Sequence, residues 1–175
     1  FDAAVLAVSA TLDRAVASVG QALALTATVR NTGGVAVHRA VVAAAPSTPG
    51  VVGGSLSSAE LSLDPAEVRT IDLALVAARP GSVTVGVSLS GVEALSGRTV
   101  TATAAALPLL VQARAALAAS LAIPSTLLVG DTFQAALTVE NAGEATAVGV
   151  APGPLEAAPD ATGVVTVLSG PAPAS

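Results

Sequence analysis

The residues of this sequence that could perform acid–base, nucleophilic or metal chemistry are few. Its 175 residues include one histidine, His38, and no cysteine. A disulfide and a thiolate metal site are therefore excluded. A catalytic triad needs a nucleophile and an acid arranged around a histidine, and the sequence shows no such order. We expect His38, between Val37 and Arg39, to be a solvent-facing strand residue, and we predict no catalytic, cofactor-binding or metal-ligating residue.

Two loose groups of carboxylates could bind calcium. The first group is Asp64, Glu67 and Asp72, and the second is Asp131, Glu140 and Glu144. A calcium-binding loop has a denser spacing of Asp and Asn than either group has. We interpret these residues as solvated carboxylates that keep the chain soluble, and we expect no cofactor.

The charge distribution argues against nucleic acid as a partner. All seven basic residues are arginines, they are scattered singly, and the net charge is -5. Binding to phosphates requires clustered basic side chains. The uncharged stretches 99–113 and 115–130 raise the question of a membrane span, but Pro108 and Pro124 interrupt them. A spanning helix needs about 20 largely apolar residues, so we expect no membrane span in this fragment.

An internal repeat is the strongest pattern in the chain. The only two asparagines, Asn31 and Asn141, lie 110 positions apart. Around them, residues 19–34 and 129–144 share six identical positions. A period of this length is typical of an immunoglobulin-like β-sandwich module of about 100 residues and too long for a solenoid.

Each asparagine begins an Asn-x-Gly motif, which ends at Gly33 in the first copy and at Gly143 in the second. This motif could form a ligand-binding loop. The interpretation we prefer is structural, because an asparagine side chain can cap a turn and a glycine can adopt a positive φ there.

Apolar and polar residues alternate with period two along most of the chain, which predicts antiparallel strands with one solvated face. In the first module the predicted strands are 4–12, 21–30, 36–45, 51–57, 68–77, 82–92 and 98–107. In the second module they are 115–123, 132–140, 146–151 and 163–169. The alanine-rich stretch 112–122 leaves a short helix open as an alternative.

These strands predict two domains. Residues 1–111 form a complete immunoglobulin-like β-sandwich module, and residues 112–175 form an incomplete second one. The counterparts of the last three strands of the first module are missing from the second. The fold class expected is therefore all-β, a tandem antiparallel sandwich whose second copy is truncated.

The motifs resemble those of the CARDB family, immunoglobulin-like repeats of bacterial surface proteins that are related to cell adhesion. The matching segments are Val19-Gly20 with residues 29–33, Val129-Gly130 with residues 139–143, Leu63-Asp64-Pro65, Pro80-Gly81 and Ser96-Gly97. The resemblance covers the first module and half of the second. It implies a sandwich fold and an exported, extracellular or cell-surface location.

Two functions follow from the repeat and the resemblance. The first is a non-catalytic stalk or spacer, whose partners are neighbouring immunoglobulin-like repeats of the same chain. The alternative is an adhesion module that binds a protein partner through loops or an exposed strand edge. We predict that the chain is not an enzyme. Because it begins with Phe and has no leader pattern, we also expect it to be an internal fragment.

Overall fold

The computed structural model describes residues 3–154, and all regular structure within that range is β-strand. The strands of the first half are β1 Leu6–Leu12, β2 Val16–Ser18, β3 Ala22–Asn31, β4 Val37–Pro46, β5 Val52–Gly54 and β6 Leu61–Leu63. Those of the second half are β7 Val68–Ala77, β8 Gly81–Glu93, β9 Thr99–Thr103, β10 Leu107–Gln112, β11 Leu117–Ala122 and β12 Ala136–Asn141. The prediction of an all-β chain is confirmed.

Ten of these strands form two facing sheets. Sheet A has the order β1-β3-β7-β5, and sheet B has the order β2-β10-β8-β4-β6, with β9 also paired to β8. All pairings are antiparallel except that of β2 with β10, which is parallel. The chain therefore changes sheet early: β1 lies at the edge of sheet A and β2 at the edge of sheet B.

The core lies between the two sheets and follows the period-two pattern. Leu25 on β3 and Leu73 on β7 are buried from sheet A, and Val42 on β4 and Val85 on β8 are buried from sheet B. Residues that alternate with them face solvent. Because the buried apolar side chains among residues 3–154 are all Val, Leu or Ala, the stabilisation of the core comes from many small contributions rather than from a few aromatic rings.

The predicted last strand of the first module, 98–107, is wrong in detail. The structure breaks it into β9 and β10, which pair with the second and first halves of β8 respectively. Proline is unfavourable within a strand, because it has no N–H to donate. Pro108 pairs opposite Thr84 of β8, while β2 reaches only Leu110 and beyond on the other side of β10. The proline therefore lies at an edge, where a missing N–H breaks no ladder bond.

Other predictions on strands have mixed outcomes. The short strands β2 and β6 were not predicted. The predicted strand 146–151 is wrong, because those residues form no strand, and the predicted strand 163–169 lies outside the described residues. The alternative of a helix at 112–122 is also wrong: Gln112 ends β10, and β11 pairs with β12. Strand pairing overrides the helix propensity of alanine there.

Two compact units make up the chain. Within residues 3–154, the first unit comprises the residues up to Ala115 together with Gly143–Ala145, and the second comprises Ala116–Ala142 with the residues from Thr146 onward. The first contains sheets A and B. In the second, β11 and β12 form a two-stranded antiparallel sheet. The division into folding domains at residues 111 and 112 stays a prediction.

Within residues 3–154, no helix is long and apolar enough to cross a membrane.

Candidate functional site

The first motif of the repeat closes around a buried asparagine. The side chain of Asn31 is fully buried at the end of β3. Its Nδ2 donates to the carbonyl oxygens of Val35 at 2.8 Å and Leu63 at 3.2 Å. Its Oδ1 accepts from the backbone N–H of Gly33 at 3.0 Å. The predicted capping role is confirmed, and one side chain links the turn after β3 to the end of β6.

The role predicted for Gly33 is wrong, because this glycine does not have a positive φ. A glycine is needed at this position because the backbone of residues 3–5 passes very close to it. A Cβ at position 33 would lie 2.5 Å from the backbone nitrogen of Val5 and 2.7 Å from Cα of Ala4, and closer still to the carbonyl oxygen of Ala3. Any side chain would push this segment away from the turn.

Glu93, the last residue of β8, holds the same segment from the other side. This carboxylate is buried and accepts hydrogen bonds from the backbone N–H of Ala4 at 2.7 Å and from the hydroxyl of Ser96. The bond from Ser96 lowers the pKa of Glu93 most, the N–H of Ala4 lowers it further, and the charge of Arg98 adds a smaller effect against the opposing effect of burial. Glu93 therefore stays ionised while buried.

Sequence reasoning did not select Glu93, although a pattern could have found it. The inward positions of β8 are Val83, Val85, Val87 and Leu89, and the same alternation continues to Glu93. A carboxylate at an inward position of an otherwise apolar strand needs hydrogen-bond donors.

The Val-Gly motif forms a turn between β2 and β3. The backbone N–H of Gln21 donates to the carbonyl of Ser18 at 3.0 Å, and the N–H of Ser18 donates to Oε1 of Gln21 at 2.8 Å. Gly20, the third residue of this turn, has φ 89°. That conformation favours glycine, as in a type II turn. Nε of Arg114 donates to the carbonyl of Val19 at 2.9 Å.

The second copy has the same turn. The backbone N–H of Asp131 donates to the carbonyl of Leu128 at 3.1 Å, and the N–H of Leu128 donates to Oδ2 of Asp131 at 3.0 Å. Gly130 has φ 94°. Each bond has its counterpart 110 positions earlier, and the side-chain acceptor is Asp in place of Gln.

The environment of the second asparagine is similar but more open. Oδ1 of Asn141 accepts from the N–H of Ala116 at 3.1 Å, and its side chain is exposed. The N–H of Ala142 donates to the carbonyl of Ala116 at 2.8 Å, just as the N–H of Thr32 donates to that of Val5 at 2.7 Å. In both copies, the residue after the asparagine therefore bonds to the residue just before the first strand of the pair, Val5 before β1 and Ala116 before β11.

The first group of candidate calcium ligands is spread over separate contacts. Glu67 accepts from the N–H of Asp64 at 2.7 Å and from Nε of Arg69 at 2.6 Å. The bond from Asp64 is the main cause of the lowered pKa of Glu67, and Arg69 lowers it further. Asp72 accepts from the hydroxyl of Thr26 at 2.7 Å on the outer face of sheet A.

The second group is spread as well. Asp131 closes its own turn, and Glu144 accepts from the backbone N–H of Ala113 at 2.6 Å. Glu140 lies on β12, opposite Ala118 of β11. Among residues 3–154, no three His, Asp or Glu side chains come together in a group that could hold a metal ion.

His38 lies on the exposed face of β4, as predicted, with Nδ1 3.2 Å from Oγ of Ser62. Directly after it the pairing register of β4 shifts, and Arg39 has φ 50°. This β-bulge places two exposed residues in succession and lets Val37 and Ala40 both face the core, where both are fully buried.

The strand order defines the class of the first unit. Sheet A has the strand order β1-β3-β7-β5. In sheet B, β8 lies between β4 and β10. This matches the ABED and CFG sheets of an immunoglobulin-like β-sandwich.

Comparison with known proteins gives similarities of structure. No protein-family model matches the sequence, and no curated protein matches it. The chain is similar to the CARDB domain of the PF1109 protein from Pyrococcus furiosus, solved in complex with di-metal ions. The two are 19% identical with a TM-score of 0.45, and the match covers 63% of this chain and 96% of that one.

Two further solved structures are similar. Native alpha-2-macroglobulin from Escherichia coli, solved from domain MG7 to the C-terminus, is 21% identical with a TM-score of 0.48; the match covers 67% of this chain and 19% of that one. The sporulation control protein Spo0M from Bacillus subtilis is 14% identical with a TM-score of 0.42, over 61% of this chain and 49% of that one.

Proposed function

We propose that this chain is a non-catalytic structural segment, a stalk or spacer, of an exported bacterial surface or secreted protein. The observation that carries the proposal is the recurrence of one turn at Ser18–Gln21 and Leu128–Asp131, with equivalent hydrogen bonds and a glycine of positive φ in each. Repetition of a turn at the spacing of a module is what a chain built from successive sandwiches requires.

The use of the polar side chains supports the same proposal. Asn31, Glu93 and Glu67 each hydrogen-bond to backbone atoms of turns and strand ends. Glu93 and Glu67 each accept a further bond from a side chain close in sequence. A catalytic or metal-binding group needs such atoms directed at a ligand instead. The surface location rests on the resemblance to bacterial surface repeats and belongs to the proposal.

The spacer role is tested by displaying a reporter domain on a bacterial surface through residues 1–175 or through a flexible linker of equal length. A folded spacer holds the reporter at a defined distance, measured by fluorescence energy transfer to a membrane dye. The same broad distribution of distances for the two links would contradict the proposal. Limited proteolysis of the free chain adds a second reading, since a stable fragment ending near residues 111–115 is expected.

A second candidate, adhesion to a protein partner, is favoured by apolar side chains at turn tips. Leu95 is 71% exposed in the turn after β8, and Leu128 and Val129 are 76% and 108% exposed in the turn of the second unit. Side chains of this kind can anchor a partner. Saturable binding to a protein-coated surface that is lost in Leu128→Ser would support adhesion over a pure spacer, with Ser125→Ala as the control.

A further inference from the structure

The segment before β1 and the end of β10 are held at opposite ends of one strand of the first unit. The backbone N–H of Ala4 donates to Glu93, the last residue of β8. Val111 of β10 pairs opposite Gly81, the first residue of β8. This strand has 13 residues, which span about 40 Å at the rise of a β-strand. A tension applied between the segment before β1 and the segment after β10 therefore acts along the strands.

The chain that leads into the first unit is bound to both sheets. The strand β1 pairs with β3 of sheet A over its whole length, Leu6–Leu12. The strand β2 then pairs with β10 of sheet B over Val16–Ser18. A pull on the segment before β1 can therefore draw it out of the sandwich only if β1 slides along β3 and β2 slides along β10.

The parallel direction of β2 and β10 determines how their hydrogen bonds carry such a tension. The pull draws β2 toward its N-terminal end and β10 toward its C-terminal end, which are opposite directions along the pair. Because backbone hydrogen bonds run across the strands, a load along the strands is shared by all of them. In an antiparallel pair the same two strand ends would lie together, and the bonds would open one after another.

Further hydrogen bonds extend the pair beyond the three residues of β2. The N–H of Val19 donates to the carbonyl of Gln112 at 3.0 Å, and the carbonyl of Val19 accepts from Nε of Arg114 at 2.9 Å. At the other end of the pair, the N–H of Leu110 donates to the carbonyl of Ala15 at 2.9 Å. The segment 15–19 is therefore joined to the end of β10 along its whole length.

We propose that the parallel pairing of β2 with β10 is a mechanical clamp, which makes the first unit resist tension applied along its strands. The bonds of the clamp are loaded together, so the unit should keep its fold under tension until they break in one step. This resistance is a property of the fold of the first unit and does not rest on the spacer role.

Single-molecule pulling on the 175-residue chain tests the proposal. Because the sequence has no cysteine, two introduced thiols determine where the force is applied. Handles at Ala3→Cys and Ala115→Cys load the clamp along its strands. Handles at Ala22→Cys and Ala115→Cys, at the end where β10 finishes, open it sideways. All three positions are exposed. The unfolding force should be severalfold higher with the first pair of handles, and equal forces would overturn the proposal.

Removal of one bond of the clamp is a second test. Val19 is the second residue of the turn that begins at Ser18, a position that favours proline. Because proline has no N–H, Val19→Pro should keep the turn but remove the bond to Gln112, and should lower the unfolding force with handles at positions 3 and 115. Val129→Pro, at the exposed equivalent position of the second unit, should leave that force unchanged. An undiminished force in Val19→Pro would count against the clamp.

A third variant separates mechanical resistance from ordinary stability. Forced unfolding depends on the unfolding barrier rather than on the free energy of unfolding at equilibrium. Val52 is buried on β5, at the edge of sheet A, and takes no part in the pairing of β2 with β10. For an equal loss in the free energy of unfolding in urea, Val52→Ala should lower the unfolding force less than Val19→Pro does. If both variants lower the force in proportion to that free energy, the clamp has no special role and the proposal fails.

Discussion

The carboxylate of Glu93 accepts a 2.7 Å hydrogen bond from the backbone N–H of Ala4, a residue 89 positions earlier in the chain. This bond fastens the segment before β1 to the end of β8, and Gly33 leaves the space in which the segment lies. Three remote parts of the chain therefore meet at one end of the sandwich. The predictions below separate the contribution of each part.

The stability of the first unit should depend on pH through Glu93. Its pKa is lowered in the folded state from the ordinary value of 4.5, so the ionised form stabilises the fold. This contribution is fully present above pH 4.5 and is lost as the pH falls through the lowered native pKa. Glu93→Gln should be less stable at neutral pH and should show a shallower loss of stability on acidification, measured by urea unfolding at a series of pH values. Glu60→Gln, at an exposed position, should keep the parent slope.

Replacement of Asn31 by Ala should destabilise the fold strongly. The change leaves the carbonyls of Val35 and Leu63 and the N–H of Gly33 without their partner in a buried place. A loss of about 1–3 kcal/mol in the free energy of unfolding is expected. Asn141→Ala, in the exposed copy of the motif, is the matched control and should change the main urea transition little. Similar losses in the two variants would contradict the role given to burial.

Gly33 and Gly97 should respond differently to replacement by asparagine. Asn tolerates a left-handed backbone better than other side chains do. Gly97 has φ 69° and no heavy atom within 4 Å of the place a Cβ would take, so Gly97→Asn should be better tolerated than Gly97→Val. At Gly33 the obstacle is contact with residues 3–5, so Gly33→Asn should lower the melting temperature at least as much as Gly33→Ala. Rescue by Asn at position 33 would show that backbone conformation matters there after all.

The two copies of one repeat position should differ in the cost of truncation. Val29 is fully buried and Val139 is 41% exposed. Val29→Ala should lower the free energy of unfolding by about 2 kcal/mol, from lost apolar burial and the cavity left behind. Val139→Ala should change it by less than about 0.5 kcal/mol. Calorimetry or urea unfolding of the two variants provides the comparison.

Several features of the fold were open to prediction from sequence, because they depend on neighbouring residues. The alternation along β3 and β8 identifies strands and their buried faces, and Asn31 marks a turn. The same alternation did not predict β2, which is only three residues long, or the separate strand β10, which contains Pro108. There the strand exists because a partner strand offers hydrogen bonds, and residues 107–112 alone do not disclose that partner.

The sequence by itself determined the strand pattern, the turn chemistry and the repeat, since these arise from side-chain alternation, glycine and proline geometry and asparagine capping over a few residues. Only the tertiary structure decided that Glu93 holds Ala4, that Gly33 makes room for residues 3–5, and that β2 runs parallel to β10. The reason is physical: these contacts join segments far apart in the chain, and they form only when the two sheets have packed and brought buried polar groups to the partners that satisfy them.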